Sequence, residues 1–166
     1  YARQVASPSH WALYDVVAVV SREHKAVGSH AGHALASTSP LHRARLDAVP
    51  GLLAAVRAAI EDRDLAALGG AAERDALAMH SVMMTSQPSL LYWLPPTLAV
   101  MHALRAWRQE GLAAYFTLDA GPNVHCLCEA RDAGVLSERI WNLPGVLDVL
   151  VSGPGEGVRL VEYHLF

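Results

Sequence analysis

Charge is scarce in this chain: 17% of its 166 residues are charged and 52% are apolar. That balance excludes a disordered chain, and at 17.8 kDa the length suits one ordinary domain with a core of its own. No Lys/Arg run occurs, and thirteen basic against sixteen acidic residues leave a formal charge of -3. Overall charge therefore excludes nucleic-acid binding, and a polyphosphate ligand has to be held by a few local groups. A long apolar run is missing as well. The longest uncharged stretch, Met79 to Ala103, is broken by Pro88, Pro95 and Pro96 and carries two His, so it fails as a membrane span. No signal-peptide pattern opens the chain, which makes a cytoplasmic address the expectation. The only two cysteines, Cys126 and Cys128, lack the C-x-x-C spacing of a redox or zinc pair. Two apart on one strand, they share a face and read as reduced core thiols. Methionine does not open the chain either: YARQVASPSHW reads as the interior of a longer protein.

What is present divides into periodic segments. Leu13 to Val20, LYDVVAVV, is β-branched and nearly continuously apolar, as a buried strand is. The following SREHKAVGSHAGHALASTSP is too rich in Gly, Ser and His for core. Leu46, Val49, Leu52, Leu53, Val56 and Ile60 then recur at helical spacing, with Pro50-Gly51 expected to kink or split the helix. Asp64 is a suitable N-cap for a next helix striped by Leu65, Leu68, Ala72, Ala76, Met79 and Met83, in which Gly69-Gly70 either weakens the helix or permits close packing. SQPSLLYWLPP reads as an irregular connection. Thr97 is expected to cap a helix with Val100, Met101, Leu104 and Trp107 inward, stopped by Gly111.

From there the period becomes two. Ala114, Phe116 and Leu118 share one face and Tyr115, Thr117 and Asp119 the other; AGPN turns the chain into Val124–Glu129, so the pair predicts a hairpin. An amphipathic helix over Arg131–Trp141 follows, then strands near Val146–Val151 and Val158–Tyr163 around the turn-rich SGPGEG. Because the helices are grouped rather than alternating, the order implies an α+β fold: a ferredoxin-like antiparallel sheet with helices packed on one face. Residues 1–12 read as a tail or linker from an N-terminal domain and 13–166 as the domain itself.

Asp119 is a lone acid where a strand leaves the sheet. Such an Asp organises a turn through its backbone, or it is a fixed general base, with Gly121 admitting a ligand and Asn123 offering an amide. His24, His30 and His33 lie in the Gly/Ser segment with Lys25 and Ser29. No fixed metal pattern is matched there, and anion binding by Lys25, Ser29 and backbone N–H groups competes with a plain solvated loop. His80 reads as a satisfied core histidine, and Tyr92 and Trp93 as packing beside proline.

The order AYFTL, DAGPN (Asp119–Asn123), the partner strand, SGPGEG and K-x-x-x-S (Lys25–Ser29) resembles the C-terminal half of the diphosphomevalonate decarboxylases, in the superfamily of small-molecule kinases known as GHMP kinases. The resemblance covers nearly the whole chain, and DAGPN after a Y-F-T strand is its most specific part. It implies the GHMP kinase C-terminal domain fold. It also implies ATP- and Mg2+-dependent decarboxylation of 5-diphosphomevalonate to isopentenyl diphosphate, with Asp119 as the carboxylate on the 3-hydroxyl. Ser29 matches the second Ser of the family's Ser-Ser-Arg pattern, but Gly28 and His30 replace its other two residues. Imidazole grips a phosphate less firmly than guanidinium, which opens 5-phosphomevalonate as the alternative substrate. The family's nucleotide loop and its G-S-A-C-R segment find no counterpart here, so the resemblance assigns most of the ATP and Mg2+ contacts to an N-terminal half. A homodimer is common among related enzymes. Two further readings remain: a kinase that stops at the phosphorylated alcohol, and a non-catalytic ferredoxin-like ligand-binding module.

Overall fold

The computed structural model describes residues 4–23 and 27–156. Lys25 and His24 fall outside them, as does the last expected strand, Val158–Tyr163. The chain forms β1 (Leu13–Val19), α1 (Ser29–Leu35), a short 3-10 turn (Ala36–Thr38), α2 (His42–Asp62), α3 (Leu65–Met84) and α4 (Pro95–Gln109). After these come β2 (Tyr115–Thr117), β3 (Val124–Glu129), α5 (Ala130–Trp141) and β4 (Asp148–Ser152). The sheet order is β2-β3-β1-β4, antiparallel at every described pairing, which is the α+β, ferredoxin-like arrangement. Among the described residues no helix is long and apolar enough to cross a membrane.

Strand alternation decides what the sheet buries. Val16, Ala18, Phe116, Val124, Cys126 and Cys128 are fully buried and pack against Val100 and Leu104 of α4 and Leu136 and Ile140 of α5. Each such side chain contributes about 1.5–3 kcal/mol by leaving water. The α2–α3 hairpin reaches round the β2 edge, where Leu65 and Leu68 meet Trp11, Leu13 and Tyr115 from the other face. Gly69 makes this approach close, because a Cβ there would collide with the Tyr115 ring, whereas Gly70 borders open space.

Local chemistry accounts for most boundaries. The Asp64 carboxylate accepts from the Ala67 N–H at 2.9 Å and caps α3. Gly111, with φ +100°, ends α4. Three expectations need correction. α2 runs unbroken through Pro50, which sits on the solvent side, where water can serve the carbonyl deprived of its partner. Leu46 and Leu53, read as inward, are 48% and 51% exposed. α4 begins at Pro95, so Thr97 lies in its first turn rather than before it. A fourth difference is α1 itself, built from a stretch read only as polar and irregular.

Candidate functional site

β2 delivers Leu118 into the core and Asp119 to solvent. The corner that follows is held from four directions. The Asp119 carbonyl accepts from the Gly121 N–H at 2.7 Å and from Nε2 of His80, on α3, at 3.0 Å. The Asn123 Oδ1 accepts from the backbone N–H groups of Val20 and Ser21 at 2.9 and 3.1 Å, tying the corner to the end of β1. The Thr97 hydroxyl donates to the Pro122 carbonyl at 2.7 Å and accepts from the Leu94 N–H at 3.1 Å, tying it to α4. Backbone carbonyls and neighbouring side chains thus build the turn, and the Asp119 carboxylate is left facing outward. Asn123 is drawn into this scaffold: its oxygen is committed to β1 rather than offered to a ligand. The Gly121 N–H is likewise engaged within the turn.

α1 stands opposite. Gly28 is its N-cap in extended conformation and Ser29 its first residue; His30 is exposed on its outer side. Gly32 and His33 of α1, Arg45 of α2, Asp75 of α3 and Asp119 line one cavity of about 480 Å³. The Arg45 guanidinium pairs with Asp75 at 2.8 Å, while its buried Nε has no acceptor among the described residues. The fold therefore brings the segment bearing Ser29 to the same cavity as Asp119. Arg45 and Asp75 escape the sequence reading as site residues because helical spacing says nothing about which distant helices meet, and His33 enters it only with His24 and His30 in a polar segment.

His80 is 1% exposed, and burial pushes its pKa below the usual 6.5 against the opposing pull of the Asp119 carbonyl and carboxylate. It is thus a neutral imidazole carrying its proton on Nε2, since a carbonyl can only accept. Its ring meets Tyr92 edge-on at 6.0 Å and Trp93 at 5.1 Å. The cysteines behave as core thiols: burial pushes Cys128 up to about 12 and Cys126 well above its usual value. Neither is a nucleophile at neutral pH. Among the described residues no three His, Cys, Asp or Glu side chains stand together as a metal-binding set.

The family model described as the mevalonate 5-diphosphate decarboxylase C-terminal domain matches residues 15–144. The phosphomevalonate decarboxylase of Haloferax volcanii is 31% identical over 75% of this chain and 39% of its own length. The diphosphomevalonate decarboxylase of Danio rerio is 35% identical over 74% of this chain and 32% of its own. The structure of MDDEF in complex with MVAPP, AMPPCP and magnesium superposes with a TM-score of 0.82 at 29% identity, covering 93% of this chain and 47% of that one. The chain spans 39% and 32% of the length of these two curated relatives.

Proposed function

Because this chain belongs to the mevalonate 5-diphosphate decarboxylase family by its C-terminal domain, we propose that it supplies one wall of the active site of an ATP-dependent decarboxylase acting on 5-diphosphomevalonate. The product is isopentenyl diphosphate. The observation that carries this reading is the outward Asp119 carboxylate, fixed at a corner tied to three elements and opening on the cavity that α1 shares.

ATP supplies the phosphoryl group that turns the 3-hydroxyl into a leaving group. Asp119 is then the residue with chemistry to do. A tertiary alcohol is a poor nucleophile, and a carboxylate within hydrogen-bond reach aims its lone pair and takes its proton as the P–O bond forms. When phosphate departs with the C3–O electron pair, positive charge develops at C3, and the same carboxylate stabilises it. Cleavage of the bond to the carboxyl carbon releases carbon dioxide, and its electron pair becomes the new double bond. Ser29, Lys25 and His30 are assigned to the anionic groups of the substrate. Gly121 and Asn123 shape the corner. ATP and Mg2+ are assigned mainly to the part of the protein that the longer relatives have in addition, since this chain matches the family by its C-terminal domain.

The monophosphate is the second reading. It is favoured by His30 where the family pattern has Arg, and by the similarity to the Haloferax volcanii phosphomevalonate decarboxylase. One assay separates the readings: the full-length protein with ATP, Mg2+ and either 5-phospho- or 5-diphosphomevalonate, followed by carbon dioxide and ADP. The better substrate is the one with the higher kcat/KM. ADP without carbon dioxide overturns decarboxylation, and neither product from either substrate overturns the enzyme reading. In the same assay Asp119→Asn is expected to lower kcat by about 10²–10⁴-fold with substrate affinity largely kept, because the amide keeps the size and loses the proton affinity. Wild-type turnover in that variant removes Asp119 from the mechanism.

A further inference from the structure

We propose that His80 and Tyr92 are positioning residues that lock the Asp119 corner and the start of α1 into one frame, so that the carboxylate and the substrate-holding segment stay in register. This rests on the function proposed above and names two residues acting behind the site rather than on the substrate.

The argument starts from what holds the Asp119 carbonyl. Its contact with the Gly121 N–H spans two residues and travels with the turn, so by itself it leaves the turn free to move as a unit. The bond from His80 comes from α3, 39 residues away in sequence, and refers the peptide directly after Asp119 to the rest of the fold. An aliphatic side chain would fill the same buried volume without the cost of burying a polar ring. What imidazole adds here is the N–H.

The second half of the frame is Tyr92. It is 9% exposed, and its ring lies edge-on to His80 at 82°. The two rings pack edge-on at 6.0 Å, so the position of one bears on that of the other. The Tyr92 hydroxyl points away from His80 to the root of α1, where it donates to the Val27 carbonyl at 3.4 Å, at the long end for such a bond. It also abuts Gly32: a Cβ on that residue would stand 2.9 Å from Oη. The glycine is what lets α1 settle directly on the phenol. A line of contact therefore runs from the Asp119 carbonyl through His80 and Tyr92 to residues 27–32. Both ends of the line border the Asp119 cavity, to which Tyr92 itself contributes.

Ordinary core packing makes a different forecast from positioning, and conservative variants tell them apart. His80→Phe keeps the bulk and loses the donor, whereas His80→Gln keeps an N–H. In the full-length protein His80→Phe is expected to lower kcat for carbon dioxide release about tenfold or more with KM within about threefold, and His80→Gln to recover most of it. Tyr92→Phe is expected to act on the other side, raising KM for the phosphorylated mevalonate about threefold or more while kcat is kept. Amide hydrogen exchange gives a readout independent of turnover: His80→Phe should speed exchange at Gly121, and Tyr92→Phe at Gly32. Should the wild-type protein turn over neither substrate, the proposed function falls, and the exchange data alone still decide this inference. Exchange and kinetics unchanged in both variants, or equal losses in His80→Phe and His80→Gln, overturn it. Should His80→Phe fail to fold, His80→Gln and Tyr92→Phe carry the test by the same criteria, wild-type behaviour of Tyr92→Phe again overturning it.

Discussion

His80 and His125 are driven in opposite directions by their surroundings. Burial lowers the pKa of His80, whereas the hydrogen bond of His125 Nδ1 to Asp15 Oδ2, 2.7 Å across β1 and β3, raises that of His125 against a smaller desolvation cost. A histidine whose folded pKa lies above its unfolded value stabilises the fold fully below the unfolded value of 6.5, and that gain is lost as pH climbs through the folded pKa. For His80 the sign reverses: its contribution is complete above 6.5 and is lost as pH falls through the folded pKa. His125→Gln should therefore cost more thermal stability at about pH 5.5 than at about pH 8, while a parallel pair of melts on His80→Gln should show less acid sensitivity than wild type. Equal losses for His125→Gln at both pH values would show that the Asp15 pair carries no charge-dependent stability. Asp15 sharpens the expectation, because its other oxygen is buried and has no partner among the described residues.

At the level of elements, α3 carries the heaviest constraint. Its N-terminal half is pressed on Tyr115, whose ring also carries the Arg108 guanidinium at 4.3 Å, itself paired with Glu73 at 2.8 Å and bonded to the Ala114 carbonyl at 2.8 Å. These contacts hold the ring in place. Gly69→Ala, which raises intrinsic helix propensity, should nevertheless destabilise the protein by about 1–3 kcal/mol or more through overpacking, measured as a lower denaturant midpoint. A midpoint unchanged or raised would mean that α3 and β2 separate easily. Elements of this kind were legible where a local signal decided them: the Asp64 cap, the stop at Gly111, and the alternation that sends Phe116 inward and Asp119 outward. α1 was not legible, because SHAGHAL has no apolar stripe and its place comes from distant partners, Met83, Leu90 and Tyr92. Pro50 misled for a related reason, since its cost depends on whether water reaches the carbonyl it deprives. Asp119 was readable from strand parity and the turn beside it, whereas His80 and Tyr92 join segments 39 and 65 residues apart and leave no local trace.

For the molecule as a whole, one core lies under nearly every strut of the site. Val124, Phe116, Leu104, Leu136 and Ile140 belong to a single cluster, and the corner, α4 and β1 are all anchored in it. Leu136→Ala, far from Asp119 in sequence and on the buried side of α5, is expected to cost about 2–5 kcal/mol in urea unfolding. A loss below about 0.5 kcal/mol, the range of ordinary surface substitutions, would contradict the burial of this position. The same view bears on activity. On the function proposed above, the domain contributes the Asp119 corner and the α1 segment to one wall of a cleft, and it matches only 39% and 32% of the length of two longer relatives. The 166-residue chain by itself is accordingly expected to fold yet release no carbon dioxide from ATP and either phosphorylated mevalonate, and measurable release would show that it binds the nucleotide unaided. Trp93, finally, is a half-buried indole 5.1 Å from the His80 ring, and its N–H is buried and unpartnered among the described residues. Protonated imidazole quenches indole emission and the neutral ring does not. The protein thus has an optical reporter built in behind the Asp119 corner, and the difference in emission between wild type and Trp93→Phe records the state of His80 without label or ligand.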